Sequence, residues 1–169
     1  MQNILLAIVD VDNDKLLEDF VQDMAVIEIE RDTTDSSNAA DPIMRHAIKS
    51  SSSRCVELLV ARSLSTDTVE DCLVKTTDQD LYKSAVLAAE VGNANALDVI
   101  LKTNHKIVES LDRKFLENHD HDMLIHVSAK SGAEGSVDCL ELLLDNYGKN
   151  IEERNSKDET PLHVAALGR

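Results

Sequence analysis

The chain has 169 residues, with 32 acidic and 17 basic side chains, and its formal net charge at pH 7 is −15. Apolar residues make up 43% of the sequence and aromatic residues 2%. The apolar fraction excludes a disordered acidic tail. The negative charge and the scarcity of aromatic rings exclude a surface for nucleic acid or for an anionic membrane. Leucine and alanine dominate the apolar residues, which predicts a helical protein.

The cysteines and the N-terminus indicate a cytosolic chain. Cys55, Cys72 and Cys139 are odd in number and widely spaced, which favours reduced thiols over a disulfide framework. The apolar run at 4–9 has no basic residue before it and is soon followed by Asp10. It is therefore neither a signal peptide nor a transmembrane helix, and we expect no membrane insertion within these residues.

The first half of the chain contains weakly patterned helical segments. Apolar residues recur at helical spacing between residues 4 and 21. Two further segments with apolar residues lie at 41–47 and 55–60. Long polar stretches follow at 23–40 and 63–80, and these predict loops.

The second half of the chain has a clearer pattern. Two apolar segments, at 84–91 and 94–101, flank Gly92, and the first of them contains the adjacent small residues Ala88 and Ala89. A further long loop is expected at 105–121.

Two further apolar segments, at 123–129 and 137–144, flank a polar stretch that contains Gly135. Leu142 follows Gly135 by seven positions, and Val99 follows Gly92 by the same interval. The shared spacing indicates an internal repeat.

The last segment has the features of a helix start. Thr160 is a suitable N-cap, and Pro161 suits the first helical position, where no backbone N–H is needed. Leu162, Ala165 and Ala166 then fall on one apolar face.

The heptapeptide at 160–166 resembles the ankyrin-repeat signature T-P-L-H-x-A-A, and residues 123–129 repeat the pattern with His126 in the place of His163. The resemblance implies an all-α ankyrin solenoid of stacked helix–turn–helix units with finger loops. In the family, this histidine bonds the backbone of the adjoining loop. Serines occupy 50–53, where the family has glycine.

The resemblance divides the chain into five parts: a degenerate N-terminal capping repeat with a polar loop at 1–40, a degenerate repeat at 41–81, a repeat with a long finger loop at 82–121, a repeat at 122–158, and the start of a truncated repeat at 159–169. The residues that carry the repeat signature are Ala88, Ala89, Gly92, His126, Ala129, Gly135, Thr160, Pro161, Leu162, His163, Ala165 and Ala166. A helix without its partner cannot bury its apolar face, so we expect an N-terminal fragment with a marginally stable C-terminal edge.

No catalytic or metal site is predicted. His119 and His121 stand in a loop without a nearby cysteine or a second zinc-type pair. Cys139 is next to Asp138 and near Glu141, whose charges raise a thiol pKa, so an activated nucleophile is not expected. The sequence has no glycine-rich phosphate loop, and we expect no enzyme and no cofactor.

The resemblance implies a protein-binding module, because ankyrin arrays bind partners with their finger tips and the faces of their first helices. The finger predicted to bind comprises Lys149, Asn150, Glu152, Glu153 and Arg154. An acidic surface favours a partner with a basic segment. The alternative is that the negative charge is spread over solvated faces and serves solubility.

Two parent proteins are considered. One is a cytosolic scaffold or adaptor. The other follows from a narrower resemblance: the segments 131–137 and 155–163 look like parts of the cytosolic ankyrin arrays of TRPA-type cation channels. Under that second interpretation, the chain is located on the cytosolic side of a membrane.

Overall fold

The computed structural model describes Lys15 and residues 42–64, 78–103 and 122–167. Regular structure in these ranges is helical: α1 (Pro42–Lys49), α2 (Ser53–Leu64), α3 (Asp78–Val91), α4 (Ala94–Thr103), α5 (Leu124–Ser131), α6 (Ser136–Asn146) and α7 (Pro161–Leu167). The described ranges contain no strand, so the predicted all-α fold is confirmed there. None of their helices is long and apolar enough to cross a membrane. The chain divides into two compact units, Met1–Ser84 and Ala85–Arg169.

Several predicted features lie outside the described residues: the capping repeat and polar loop at 1–40 (Lys15 apart), the loop at 105–121 with His119 and His121, and Cys72. The predicted loop at 63–80 overlaps two helices, because α2 continues to Leu64 and α3 begins at Asp78. Asp78 and Asp80 lie in the first turn of α3, where the helix dipole stabilises carboxylates.

The two helices of each pair are joined by a residue in the left-handed conformation. Gly92 (φ 73°) and Gly132 (φ 63°) occupy this position after α3 and α5. After α1 the position is taken by Ser51, with φ 57°. The serine therefore adopts a conformation that favours glycine, as the serine-for-glycine replacement in the sequence implies. Asn93 then starts α4, because its side-chain oxygen accepts the Ala96 N–H at 3.0 Å.

Small and branched side chains fill the core. In the first unit α1 packs on α2, and the fully buried residues include Ala47, Ile48, Cys55 and Val56. In the second unit the fully buried apolar side chains are Ala85, Ala88, Ala89, Ala96, Leu97, Ile100, Leu101, Leu124, Ile125, Cys139 and Leu143. Alanines on α3 and α4 permit close helix approach, which is the packing of a helical repeat solenoid.

Backbone contact and hydrogen bonds join the repeat of α3 and α4 to the repeat of α5 and α6. A Cβ atom built on Gly135 would overlap the carbonyl oxygen of Gly92, so the two backbones touch at this point. The Ser131 hydroxyl donates to the Glu90 carbonyl at 2.8 Å. At the other end of the helices, the Tyr147 hydroxyl donates to the Asp98 carboxylate at 3.1 Å, and α4 packs on α6.

The last helix, α7, packs on α5 through a face that the sequence pattern does not identify. Pro161 and Val164 are its buried residues. The predicted apolar face is largely exposed: Leu162 is 78% exposed, Ala166 is exposed and Ala165 is half-buried. Leu167 is 72% exposed as well. The predicted face is therefore apolar but has no helix packed against it in the part of the chain that the structure describes.

Candidate interaction surface

Two histidines at equivalent repeat positions have different environments. His126 on α5 is fully buried, and its Nε2 lies 3.0 Å from the Glu159 carbonyl. Because a carbonyl only accepts, Nε2 carries the proton in this pairing. His163 on α7 is exposed, and its Nδ1 lies 2.7 Å from the Thr160 hydroxyl and 3.2 Å from the Thr160 nitrogen. The Thr160 hydroxyl therefore pairs with an imidazole, whereas the sequence predicts that it accepts a backbone N–H.

Residues 149–154, called the finger from here on, are held by hydrogen bonds within the segment. The Asn150 side-chain oxygen accepts the Glu152 N–H at 3.0 Å, and the Glu153 carboxylate accepts the Asn150 N–H at 3.1 Å. Lys149 Nζ lies 3.8 Å from the Glu153 carboxylate, and the Lys149 side chain is only 10% exposed. Lys149 and Glu153 thus stabilise the shape of the finger.

The finger presents its remaining side chains to solvent. Asn150, Glu152 and Arg154 are exposed, and Ile151 between them is 58% exposed. Arg154 is paired with the Asp158 carboxylate at 2.9 Å. Glu152 has no ion pair with any of the described residues, so its charge is free to meet a partner. Ile151 lies within the predicted finger but is not among its predicted binding residues, although an apolar residue within a polar turn is a signal for such a role.

Asn155 anchors the turn that follows the finger, a role that the sequence analysis does not assign. Its side-chain oxygen accepts the N–H groups of Lys157 and Glu159, at 3.0 and 2.9 Å. Its amide donates to the Asp122 carboxylate at 2.7 Å. This buried side chain therefore shapes the turn and fastens it to the residue that precedes the α5 N-cap.

A second acidic surface lies in a groove between α4 and α6. Its walls carry Asp98, Asp138, Glu141 and Asp145, and its lining includes Ala94 and Leu142. Asp98 is paired with Lys102 and accepts from Tyr147. The three carboxylates on α6 make no ion pair with other described residues.

The chemistry available in the described ranges is limited. No group of three histidine, cysteine or acidic side chains there is placed to hold a metal ion. Cys139 is fully buried, and burial, aided by the Asp138 charge, raises the pKa of its thiol to about 11. A thiol with that pKa is protonated at neutral pH and is a poor nucleophile.

Comparison with known families bears on the C-terminal part of the chain. Residues 123–169 match the family model for ankyrin repeats (many copies). The match covers α5, α6, the finger and α7. No curated protein matches the chain, and nothing in these comparisons supports an origin in a TRPA-type channel.

The ankyrin match assigns a general role to this region. Ankyrin repeats are interaction modules that generally bind proteins, on surfaces built by stacking one repeat on the next. Of the residues predicted to bind, the structure brings all five into one turn but exposes only Asn150, Glu152 and Arg154. Lys149 and Glu153 face each other within the finger.

Proposed function

We propose that this chain is a non-catalytic protein-binding module, the N-terminal ankyrin-repeat part of a larger cytosolic scaffold or adaptor. Its partner carries a basic segment that docks on the finger. The observation that supports this proposal is the exposed Glu152 carboxylate, which makes no ion pair with the described residues. It lies next to Ile151 on a turn that is held by its own hydrogen bonds.

The finger suits this role because it is ordered before a partner arrives. Side-chain and backbone bonds within the turn reduce the conformational entropy that binding must remove. Ile151 supplies apolar contact area, and Glu152 supplies a charge at the same tip. The net charge of −15 accelerates the approach of a basic segment.

The test is charge reversal at the tip, with a peptide of alternating lysine and leucine as the probe. We expect Glu152→Lys to weaken peptide binding about threefold to tenfold at low ionic strength and to flatten its salt dependence. Fluorescence anisotropy at about 50 mM and about 300 mM NaCl measures both effects. Glu153→Lys also removes the bonds to Lys149 and Asn150, so it tests the shape of the finger more than its charge.

The matched control is Glu57→Lys, which makes the same change in net charge at an exposed position on α2. If the control weakens binding as much as Glu152→Lys, the finger is not the docking surface. If binding of the wild-type chain is independent of salt, the charge serves solubility and the proposal of a basic partner is wrong.

The alternative parent, a TRPA-type channel with a regulatory cytosolic array, is ranked second because no contact within the described residues favours it. Sequence beyond Arg169 distinguishes the two. A set of apolar spans of about 20 residues each would establish a channel, whereas further repeats or a soluble module would establish a scaffold.

A further inference from the structure

The two repeat histidines differ in the residue three positions before them. His163 follows Thr160, whose hydroxyl and N–H both reach the histidine Nδ1. His126 follows Met123, whose thioether has no hydrogen to donate. Met123 is the N-cap of α5, with φ −77° and ψ 167°, and makes no side-chain capping bond. The Met123 side chain therefore provides neither a capping hydrogen bond for α5 nor a hydrogen bond to the His126 imidazole.

The His126 imidazole lies at the contact between α5 and the turn that follows the finger. His126 is fully buried, and its Nε2 donates to the Glu159 carbonyl at 3.0 Å. Its Nδ1 is also buried and has no hydrogen-bond partner among the residues that the structure describes. When this contact forms, Nδ1 loses its hydrogen bond to water and gains no other. A buried acceptor without a hydrogen bond makes formation of the contact less favourable.

A further observation marks the same region as weakly held. Between residues 149 and 160 no apolar side chain is buried, so the segment before α7 has no apolar core of its own. The Asn155 amide adds a hydrogen bond to the Asp122 carboxylate, and opening breaks this bond together with the His126–Glu159 bond. Few buried apolar contacts are a property of segments that open before a whole domain unfolds.

We propose that residues 149–167 form a strap that detaches from α5 and unfolds as one unit, with the His126–Glu159 bond as its latch, while α4 and α6 stay folded. This inference goes beyond the proposed binding function. The latch lacks one hydrogen bond because Met123 stands where the equivalent position of the next repeat has a threonine. The strap carries the finger, so the finger loses its ordered shape when the strap opens.

Hydrogen exchange on the full chain, read by mass spectrometry or NMR, tests the strap. The Asn155 and Val164 amides are hydrogen-bonded within it, and the Leu97 and Cys139 amides are hydrogen-bonded at the starts of α4 and α6. In the wild-type chain we expect the first two amides to exchange together and at least about tenfold faster than the other two. Equal rates at all four positions would overturn the proposal.

The variant Met123→Thr tests the latch. A threonine at this N-cap places a hydroxyl near Nδ1, so closure buries a satisfied imidazole. We expect exchange at Asn155 and Val164 to slow by roughly tenfold relative to Leu97. Met123→Val has the shape of threonine without the hydroxyl and should leave the ratio unchanged. Equal slowing in both variants, or no slowing in Met123→Thr, would show that the imidazole is not the latch.

Discussion

Gly135 occupies a position that only glycine fits, and the reason is space. Its φ of −91° is ordinary for any residue, but a Cβ atom there would overlap the Gly92 carbonyl oxygen. Because that oxygen belongs to the backbone of the preceding repeat, relief requires the two repeats to move apart. Gly132, three residues earlier, has the opposite properties: a left-handed φ of 63° and no heavy atom within 4 Å of a Cβ.

Gly135 and Gly132 therefore allow a prediction with a matched control. We expect Gly135→Ala to lower the free energy of unfolding by about 3 kcal/mol or more, because overpacking against backbone has no cheap relief. Gly132→Ala should cost only about 1 kcal/mol, the strain of a left-handed alanine. Urea denaturation followed by circular dichroism measures both. Equal losses would mean that the repeats do not touch at Gly135.

The roles of single residues differ in how well the sequence predicts them. The left-handed turn at Ser51 can be anticipated, because the helix pattern places the serines where the other repeats have glycine. The pairing of Lys149 with Glu153 cannot be anticipated, because it depends on how the turn folds back on itself. Polar residues in a loop look alike in sequence whether they bind each other or a partner. The role of Asn155 as the anchor of the turn cannot be predicted from sequence for the same reason.

At the scale of helices, the exposure of equivalent alanines predicts unequal effects of the same substitution. Ala88 on α3 is fully buried, whereas Ala165 on α7 is half-buried beside exposed neighbours. We expect Ala88→Leu to destabilise the fold by about 1–3 kcal/mol through overpacking. Ala165→Leu should change stability by less than about 0.5 kcal/mol.

Thermal melting of the two variants measures the difference. A large loss of stability in Ala165→Leu would show that the outer face of α7 is covered in solution. No loss in Ala88→Leu would place α3 in the wrong register. The apolar spacing of α7 predicts a helix and its apolar residues, but it does not identify which of them are buried, because that depends on the neighbouring helix.

Helix boundaries can likewise be predicted from the sequence only in part. The apolar segments and the resemblance to ankyrin repeats together predict all seven described helices in outline. This prediction misses the start of α3 at 78–83, where Asp78 and Asp80 lie in the first turn and Leu81 and Tyr82 are buried. An apolar pattern therefore locates the core of a helix better than its start.

At the scale of the second compact unit, a buried thiol links stability to alkaline pH. The pKa of Cys139 is raised from 9.0 to about 11, first by burial and then by Asp138. Below about pH 9 the thiol is protonated in both states, and its contribution is constant. Between about pH 9 and 11 the unfolded thiol ionises and the folded thiol does not, so the unfolded state is favoured.

We therefore expect the free energy of unfolding to fall by on the order of 2 kcal/mol between pH 8 and pH 11 because of Cys139. Tyr147, whose pKa is also raised by burial and by its bond to Asp98, adds to the loss above its usual range. Urea titrations across this pH range measure the slope. Cys139→Ala should start from a lower stability but show a shallower fall, and an unchanged slope would rule out the thiol as the source.

Two hydrogen bonds between repeats in the second unit use a main-chain carbonyl as the acceptor. Ser131 donates to the carbonyl of Glu90, and His126 donates to the carbonyl of Glu159. Every residue type supplies a main-chain carbonyl, so the acceptor survives when its side chain is replaced. Residues 90 and 159 can therefore be substituted without loss of these two bonds, whereas the donors Ser131 and His126 cannot. The bonds to the Asp98 and Asp122 carboxylates differ, because there the acceptor side chain is required as well.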